Sequence, residues 1–258
     1  MTGSVHFDLD AAVASITIDN PDKRNSFDLA MTRRLRDLAG IVADNRDIRV
    51  VLLAGAGERA FCAGADFDAM TAADNILDSV NAMEDMLDQA VAAMARVEVP
   101  IVAAMRGACL GGGVQLAMTA DIRIAADDLT FGIPAVSLGL VYPLDAVAKI
   151  VALAGPSTAK HLLIGGTPYD AATAHAKHLV DEVVPAAELA MRAAAFAERI
   201  AAYPPDTVRT YKRVVDRFAS GAEIDAIEEM RSRANRAGEL IDRLAQLRRT
   251  RRRKTAAA

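Results

Sequence analysis

Apolar and polar residues alternate over Val5 to Leu9 and again over Val13 to Ile18, with Asp10-Ala11-Ala12 between them. Alternation marks a strand with one buried face, so the two segments predict a β-hairpin. Asn20-Pro21-Asp22-Lys23-Arg24-Asn25-Ser26 is turn-rich. Ser26 or Asp28 can cap the helix predicted next, in which Leu29, Leu35, Leu38 and Val42 fall at roughly helical spacing. Arg49 to Ala54 predicts a strand of the continuous apolar kind, buried on both faces. Gly55 to Asp66 reads as a glycine-rich loop. Asp74 to Val97 predicts a helix with Ile76, Val80, Met83, Leu87, Val91 and Met94 inward. A second buried strand is expected over Pro100 to Met105, a loop over Arg106 to Gly113 and a helix over Val114 to Ala120. Ile122 to Ala125 and Leu129 to Phe131 predict short strands. From Leu144 the pattern is mostly helical. Gly155-Pro156 opens one helix, and stripes at Leu189, Ala193, Phe196, Ile200 and at Ile224, Ile227, Met230, Ala234 mark two more.

Strands and helices alternate in the first two thirds and helices dominate the last, with no internal repeat. The fold class is therefore α/β with a helical C-terminal part. A chain of 258 residues, 52% hydrophobic, is long and apolar enough for one sizeable domain, and low-complexity disorder is excluded for most of it. Two cysteines, Cys62 and Cys109, cannot make a disulfide scaffold and read as reduced thiols. Met1 to Asp8 shows no secretory pattern. The most apolar stretch, Ile101 to Ala120, carries Arg106, Gln115 and three consecutive glycines, so no membrane span is expected and a cytoplasmic location is. The formal charge is −4, but Arg248 to Lys254 alone carry +6, which leaves an acidic body. Aromatics are 4% and tryptophan is absent, so a nucleic-acid partner is not expected and the tail reads as a solvated end. His161, His175 and His178 lack metal-ligand spacing, and no metal is expected.

Candidate chemistry lies in two glycine-rich loops that each follow a buried strand. One includes Ala60-Phe61-Cys62-Ala63-Gly64-Ala65-Asp66; the other is Arg106-Gly107-Ala108-Cys109-Leu110-Gly111-Gly112-Gly113. Glycine admits a ligand close to the backbone, and a loop ending at a helix start presents unpaired N–H groups. Two such loops can aim two N–H groups at one oxygen, or can simply allow tight helix–strand packing. Gly55-Ala56-Gly57-Glu58-Arg59-Ala60 fits a relaxed dinucleotide fingerprint, but no amphipathic helix follows at once and no acidic strand end follows about twenty residues later, so nicotinamide binding is not expected.

Four segments in order resemble the crotonase superfamily, which includes enoyl-CoA hydratases and isomerases. They are Asn20-Pro21-Asp22-Lys23-Arg24-Asn25-Ser26-Phe27, Ala60 to Asp66, Pro100 to Gly113, and Asp181-Glu182-Val183-Val184-Pro185. The resemblance implies a spiral of ββα units, expected over residues 1–190, a helical trimerisation region over 191–247, and assembly as a homotrimer or a dimer of trimers; the basic run at 248–258 is expected to be a disordered tail. It implies an acyl-CoA ligand and no cofactor. By motif position it places the two carbonyl-binding N–H groups on Ala63 and Gly112, with Gly64, Ala65, Asp66 and Gly111 around the ligand. Lys23, Arg24 and Lys212 are the cations it offers to the nucleotide end of CoA; a solvated loop accounts equally for the first two.

The chain departs from the hydratase pattern at both expected glutamates: Gln115 stands after the triple glycine, and Ala135 follows Pro134. An amide is no general base and a methyl group relays no proton, and each such group is worth about 10²–10⁴ in rate. The segment Gly139-Leu140-Val141-Tyr142-Pro143-Leu144-Asp145 brings a phenol and a carboxylate instead. Tyr142 resembles a tyrosine of family members that decarboxylate malonyl-type thioesters; packing at a rim is its structural alternative, and a helix N-cap is that of Asp145. Asp68, Glu84, Asp85 and Asp88 offer carboxylates from a helical segment, or are solvated. The expected function is enolate stabilisation on an acyl-CoA, with decarboxylation of a 2-carboxyacyl-CoA as the concrete reaction; the alternative is a non-catalytic acyl-CoA binder.

Overall fold

The computed structural model describes residues 3–72, 74–221, 228 and 230. The alternating segments form the hairpin: β1 (Ser4–Asp10) and β2 (Val13–Asp19) pair antiparallel from Ser4↔Asp19 to Asp10↔Val13. One face of β2 carries buried Ala14, Ile16 and Ile18. Asp28, not Ser26, caps α1 (Leu29–Asp44): its side chain accepts the Met31 N–H at 2.8 Å and satisfies one of the orphan first-turn amides.

The chain continues through β3 (Val50–Gly55), β4 (Ala60–Cys62), α2 (Phe67–Thr71), α3 (Ile76–Ala95), β5 (Ile101–Met105), β6 (Ala108–Leu110) and α4 (Gly112–Ala117). Then come β7 (Ile122–Ala126), β8 (Thr130–Gly132), α5 (Leu144–Gly165), β9 (Tyr169–Asp170), α6 (Ala171–Ala176), β10 (Glu182–Val184) and α7 (Leu189–Ala201). A separate compact unit begins at Ala202 and contains α8 (Pro205–Ala219), which has no buried residue and exposes Tyr211, Val215 and Phe218. Most of the Ile224 stripe and the basic tail lie outside the described residues.

Two sheets organise the larger unit. One has the order β1-β2-β3-β5-β7-β10, parallel from β2 onward; the other has the order β4-β6-β8-β9. Each long strand of the first sheet is followed by a short strand of the second, as in β3 then β4, β5 then β6, and β7 then β8, before the chain turns into helix. This repetition gives a mixed α/β architecture. The second sheet corrects the expectation of two irregular loops: each glycine-rich segment holds a three-residue strand, too short for alternation to register. The segment after Leu144, expected to be helical, likewise contains β9 and β10. Within α5 the chain breaks at Gly155 (φ 77°, ψ 164°), where Pro156 starts a new helical run.

The first sheet is buried on both faces, as its uninterrupted apolar strands require. On one face Val51, Leu53, Ile101, Ala103 and Met105 pack with Phe61, Leu87 and Met94. On the other, Val50, Val102, Ala104, Ile124 and Ala126 meet Leu189, Ala193 and Ala197 of α7. Each large side chain so buried contributes about 1.5–3 kcal/mol. Asp181 joins the last strand to its neighbour, since its carboxylate accepts the Arg123 backbone N–H at 2.7 Å and pairs with the Arg123 guanidinium at 2.9 Å.

Packing between the second sheet and α4 leaves no room at Gly113, where a Cβ would overlap the Cys62 carbonyl oxygen. Gly40, inside α1, has nothing within 4 Å of a Cβ position. Gly113→Ala should therefore cost about 1–3 kcal/mol while Gly40→Ala gains about 0.5–1 kcal/mol. Urea unfolding with unchanged m-values checks both; a neutral Gly113→Ala would refute the close approach.

Candidate functional site

The site is built from backbone. Asn20 and Asn25, 5% and 1% exposed, knit the segment before α1. The Asn20 backbone N–H donates to Asn25 Oδ1 at 2.9 Å, and Asn20 Nδ2 donates to the Ser26 carbonyl at 2.9 Å. Asn25 Nδ2 donates to the carbonyls of Ala56 and Ala60 at 3.0 and 2.8 Å. Those four bonds hold Arg24 and Asn25 in left-handed conformations (φ 53° and 59°) that L-residues rarely adopt. The segment then lies beside the chain leaving β4.

Three backbone bonds stitch the two together: Ala63 N–H to the Arg24 carbonyl (3.0 Å), Phe27 N–H to the Gly64 carbonyl (2.8 Å) and Asp66 N–H to the Phe27 carbonyl (2.8 Å). This corrects the expectation at Ala63, whose N–H is already committed. The amide left over is that of Ala65, which donates to no group among the described residues. The resemblance put a donor on Ala63 because the sequence does not show which amides the partner segment consumes.

The second loop supplies a neighbour for it. The Gly111 N–H donates to the Gly132 carbonyl at 3.0 Å, and Gly111 takes φ 49°, ψ −116°, turning the chain sharply into α4. Gly112 is the first helical residue, so its N–H is an orphan of the first turn and finds no partner among the described residues. A Cβ on Gly64 would sit 3.3 Å from the Gly112 nitrogen, and a Cβ on Gly112 would sit 3.7 Å from the Ala65 nitrogen. Two uncommitted amides from different strands thus stand side by side, and glycine is needed at residue 64, where φ is +100° and the Leu110 carbonyl lies 3.0 Å from a Cβ position.

Side chains around the pair hold it in shape. Asp66, 6% exposed, caps α2 through the Ala69 N–H at 3.2 Å and accepts from Lys23 Nζ at 2.6 Å. That hydrogen bond raises the Lys23 ammonium above its ordinary range. Lys23 is thereby tied to the loop, and Arg24 beside it is exposed. Tyr142, 7% exposed, donates its hydroxyl to the Gly111 carbonyl at 2.8 Å. Burial pushes its phenol well above the ordinary value, so it stays neutral. Ala135 is half-buried in the 3-10 turn Pro134–Leu138 and packs against the core. Asp145 is exposed in the first turn of α5, and Pro143 occupies the N-cap position expected of it. Lys212 lies on α8, in the other unit.

Gln115 is 5% exposed, and its Nε2 donates to Asp88 Oδ1 at 2.5 Å. Asp88 is an exposed residue of α3, one position after Leu87, whose Cδ2 lies 2.7 Å from a Cβ position on Gly112. A carboxylate therefore stands beside the position where a glutamate is missing. Asp88 was legible only as one acid among several on a helix, because the partner that singles it out is 27 residues away.

The thiols are not poised for attack. Cys62 and Cys109 are in register on β4 and β6 and fully buried. Burial pushes Cys62 up to about 12 and raises Cys109 well above its ordinary value. His161 meets the Tyr169 hydroxyl at 2.8 Å and His175 the Val180 carbonyl at 3.0 Å, both structural contacts. No group of three or more metal-ligating side chains occurs among the described residues. A cavity of about 420 Å³ lined by Asp10, Ser15, Leu52 and Glu198 includes Ala194 and Ala201 of α7 and belongs to another part of the unit.

Comparison with known proteins places the chain in a family. The family model for enoyl-CoA hydratase/isomerase matches residues 8–238. The short-chain-enoyl-CoA hydratase of Clostridium acetobutylicum is 29% identical over 214 residues, covering 83% of this chain and 81% of that protein. Among solved structures, an enoyl-CoA hydratase/carnithine racemase from Magnetospirillum magneticum superposes with a TM-score of 0.88 at 31% identity, covering 97% of this chain and 94% of the other. An enoyl-CoA hydratase from Bacillus anthracis gives 0.87 at 28% identity, covering 97% and 96%. With the architecture and the paired amides on one side and a match across most of its length on the other, the chain belongs to the enoyl-CoA hydratase/isomerase family.

Proposed function

We propose that the protein is an acyl-CoA enzyme that stabilises a thioester enolate between the N–H groups of Ala65 and Gly112. The observation that carries this is the pair of uncommitted amides, set side by side by loops whose other polar groups are satisfied. Hydrogen bonds aimed at an oxygen that gains charge stabilise the transition state more than the ground state, and loss of one such donor typically costs about 10²–10³ in rate. The reaction class is proton transfer at the carbon next to the thioester, the step that hydration and double-bond isomerisation share. It draws on the chain's own groups and on the CoA thioester, with no step routed through a cofactor. Lys23 and Arg24 border this loop and are the cations offered to the nucleotide end of CoA.

A second reading, loss of CO2 from a 2-carboxyacyl-CoA, is favoured by Gln115 and Ala135 in place of acid–base residues. It asks Tyr142 to donate a proton. The Tyr142 hydroxyl donates to the Gly111 carbonyl and props the turn into α4, which favours a supporting role. A non-catalytic acyl-CoA binder keeps the same amides but turns over no thioester. For assembly, we propose a homotrimer or a dimer of trimers that uses the exposed apolar residues of α8. No helix among the described residues is long and apolar enough to cross a membrane, and a cytoplasmic location is proposed with it.

Butyryl-CoA and S-butyl-CoA differ by one carbonyl oxygen. Titration calorimetry should find the thioester bound roughly tenfold or more tightly, as two hydrogen bonds of about 1 kcal/mol each require; equal affinities would remove the carbonyl-binding role. Tyr142→Phe should lower stability by about 1 kcal/mol and turnover of crotonyl-CoA by less than tenfold. Robust decarboxylation of malonyl-type thioesters by the native protein, abolished in that variant, would establish the second reading instead. Light scattering during size-exclusion chromatography should report three or six copies; a monomer would refute the assembly.

A further inference from the structure

The Asp88 carboxylate is the least explained group near the paired amides. It lies on the exposed side of α3, yet one oxygen is held by the amide of a nearly fully buried glutamine from another helix. Its second oxygen, Oδ2, has no hydrogen-bond partner among the described residues. Gly112 and Gln115 are three residues apart on α4 and so share a face. Leu87, the residue before Asp88, has its Cδ2 2.7 Å from a Cβ position on Gly112, so α3 runs past both the Gly112 amide and Gln115. A thioester gripped by its oxygen at Gly112 keeps its α-carbon, two bonds from that oxygen, beside the same amide. Gln115 cannot take a proton, but its N–H holds a carboxylate in one orientation. Glu84 stands one turn before Asp88 on α3, and its carboxyl is raised by burial first and then by the negative charges of Asp88 and Asp85.

We infer that Asp88 is the proton carrier of this enzyme, a catalytic carboxylate brought in from α3 and aimed by Gln115 at the substrate α-carbon. The inference rests on the enolate reading above and deepens it. An Asp88 oxygen takes the α-proton; the C–H electron pair becomes the C=C bond of the enolate as the carbonyl π pair moves onto the oxygen between the Ala65 and Gly112 N–H groups. The reverse step returns a proton from the carboxylic acid to the α-carbon and restores the carbonyl. Exchange of the acid proton with solvent makes the cycle visible without net reaction.

Butyryl-CoA in D2O reports that cycle as deuterium at the α-carbon, followed by mass spectrometry. The native protein should incorporate it. Asp88→Asn should slow incorporation by at least 100-fold, in line with the loss of one acid–base group, while butyryl-CoA affinity stays within threefold. Glu84→Gln removes charge from the same helix and should leave exchange within threefold. Adding Gln115→Glu to Asp88→Asn puts a carboxylate next door and should recover at least tenfold. Asp88→Ser, with the same expectation, serves if the asparagine variant does not fold. Exchange within threefold of native in the Asp88 variants overturns the assignment, as does an equal loss in Glu84→Gln, or a native protein that binds butyryl-CoA without exchange; each leaves carbonyl binding standing. A native protein that does not bind butyryl-CoA overturns the enolate reading and this inference together.

Discussion

Everything at the site depends on how backbone hydrogen bonds are distributed between the segment around Arg24 and the chain leaving β4. Three bonds join them, and they use the Ala63 and Asp66 amides and the Gly64 carbonyl. A buried amide without a partner is costly, which is why nearly all are paired in a folded protein. The Ala65 amide stays unspent because its neighbours on both sides are consumed and Gly64, at positive φ, turns the chain between them. Asn20 and Asn25 make this possible from a distance. They hold the partner segment in a strained shape through bonds to the Ser26, Ala56 and Ala60 carbonyls.

The supporting side chains follow from that arrangement. Asp66 caps α2 and anchors Lys23; Tyr142 closes on Gly111 and steadies the turn that exposes the Gly112 amide. None of these groups needs to react to do its part. Burial keeps Tyr142 neutral and the two thiols protonated, and Asp66 is tied up by Lys23, which leaves Asp88 and its helix neighbours on α3 as acids near the amide pair. Polar chemistry and apolar packing meet at Leu87, which abuts Gly112 with one side chain while the next residue reaches Gln115.

Much of the fold was legible in the pattern of residues. The hairpin, α1, the doubly buried β3 and β5, α3 and the α7 stripe all have enough residues for periodicity to show. β4, β6, β8 and β9 have two or three residues each and carry no period, so the second sheet was invisible except as glycine-rich sequence. At the site, motif resemblance pointed to two loops, and of its two amides the Gly112 N–H is uncommitted among the described residues. The Ala63 N–H it also named is taken up by the Arg24 carbonyl, a contact across about forty residues of chain that no local motif shows. The role of Asp145 as a cap failed on a local detail, since the helix starts one residue after Pro143.

The groups that would grip the ligand belong to the main chain of an alanine and a glycine. Their side chains end at a methyl group and a hydrogen, so a conventional alanine scan has nothing to delete: residue 65 is already alanine, and replacing Gly112 adds a carbon against Leu87. Such a survey would pass over the centre of the site and flag only its surroundings. Sequence drift at these positions is policed by shape and torsion, which leaves the reaction outcome to be set by whichever side chains the neighbouring helices present.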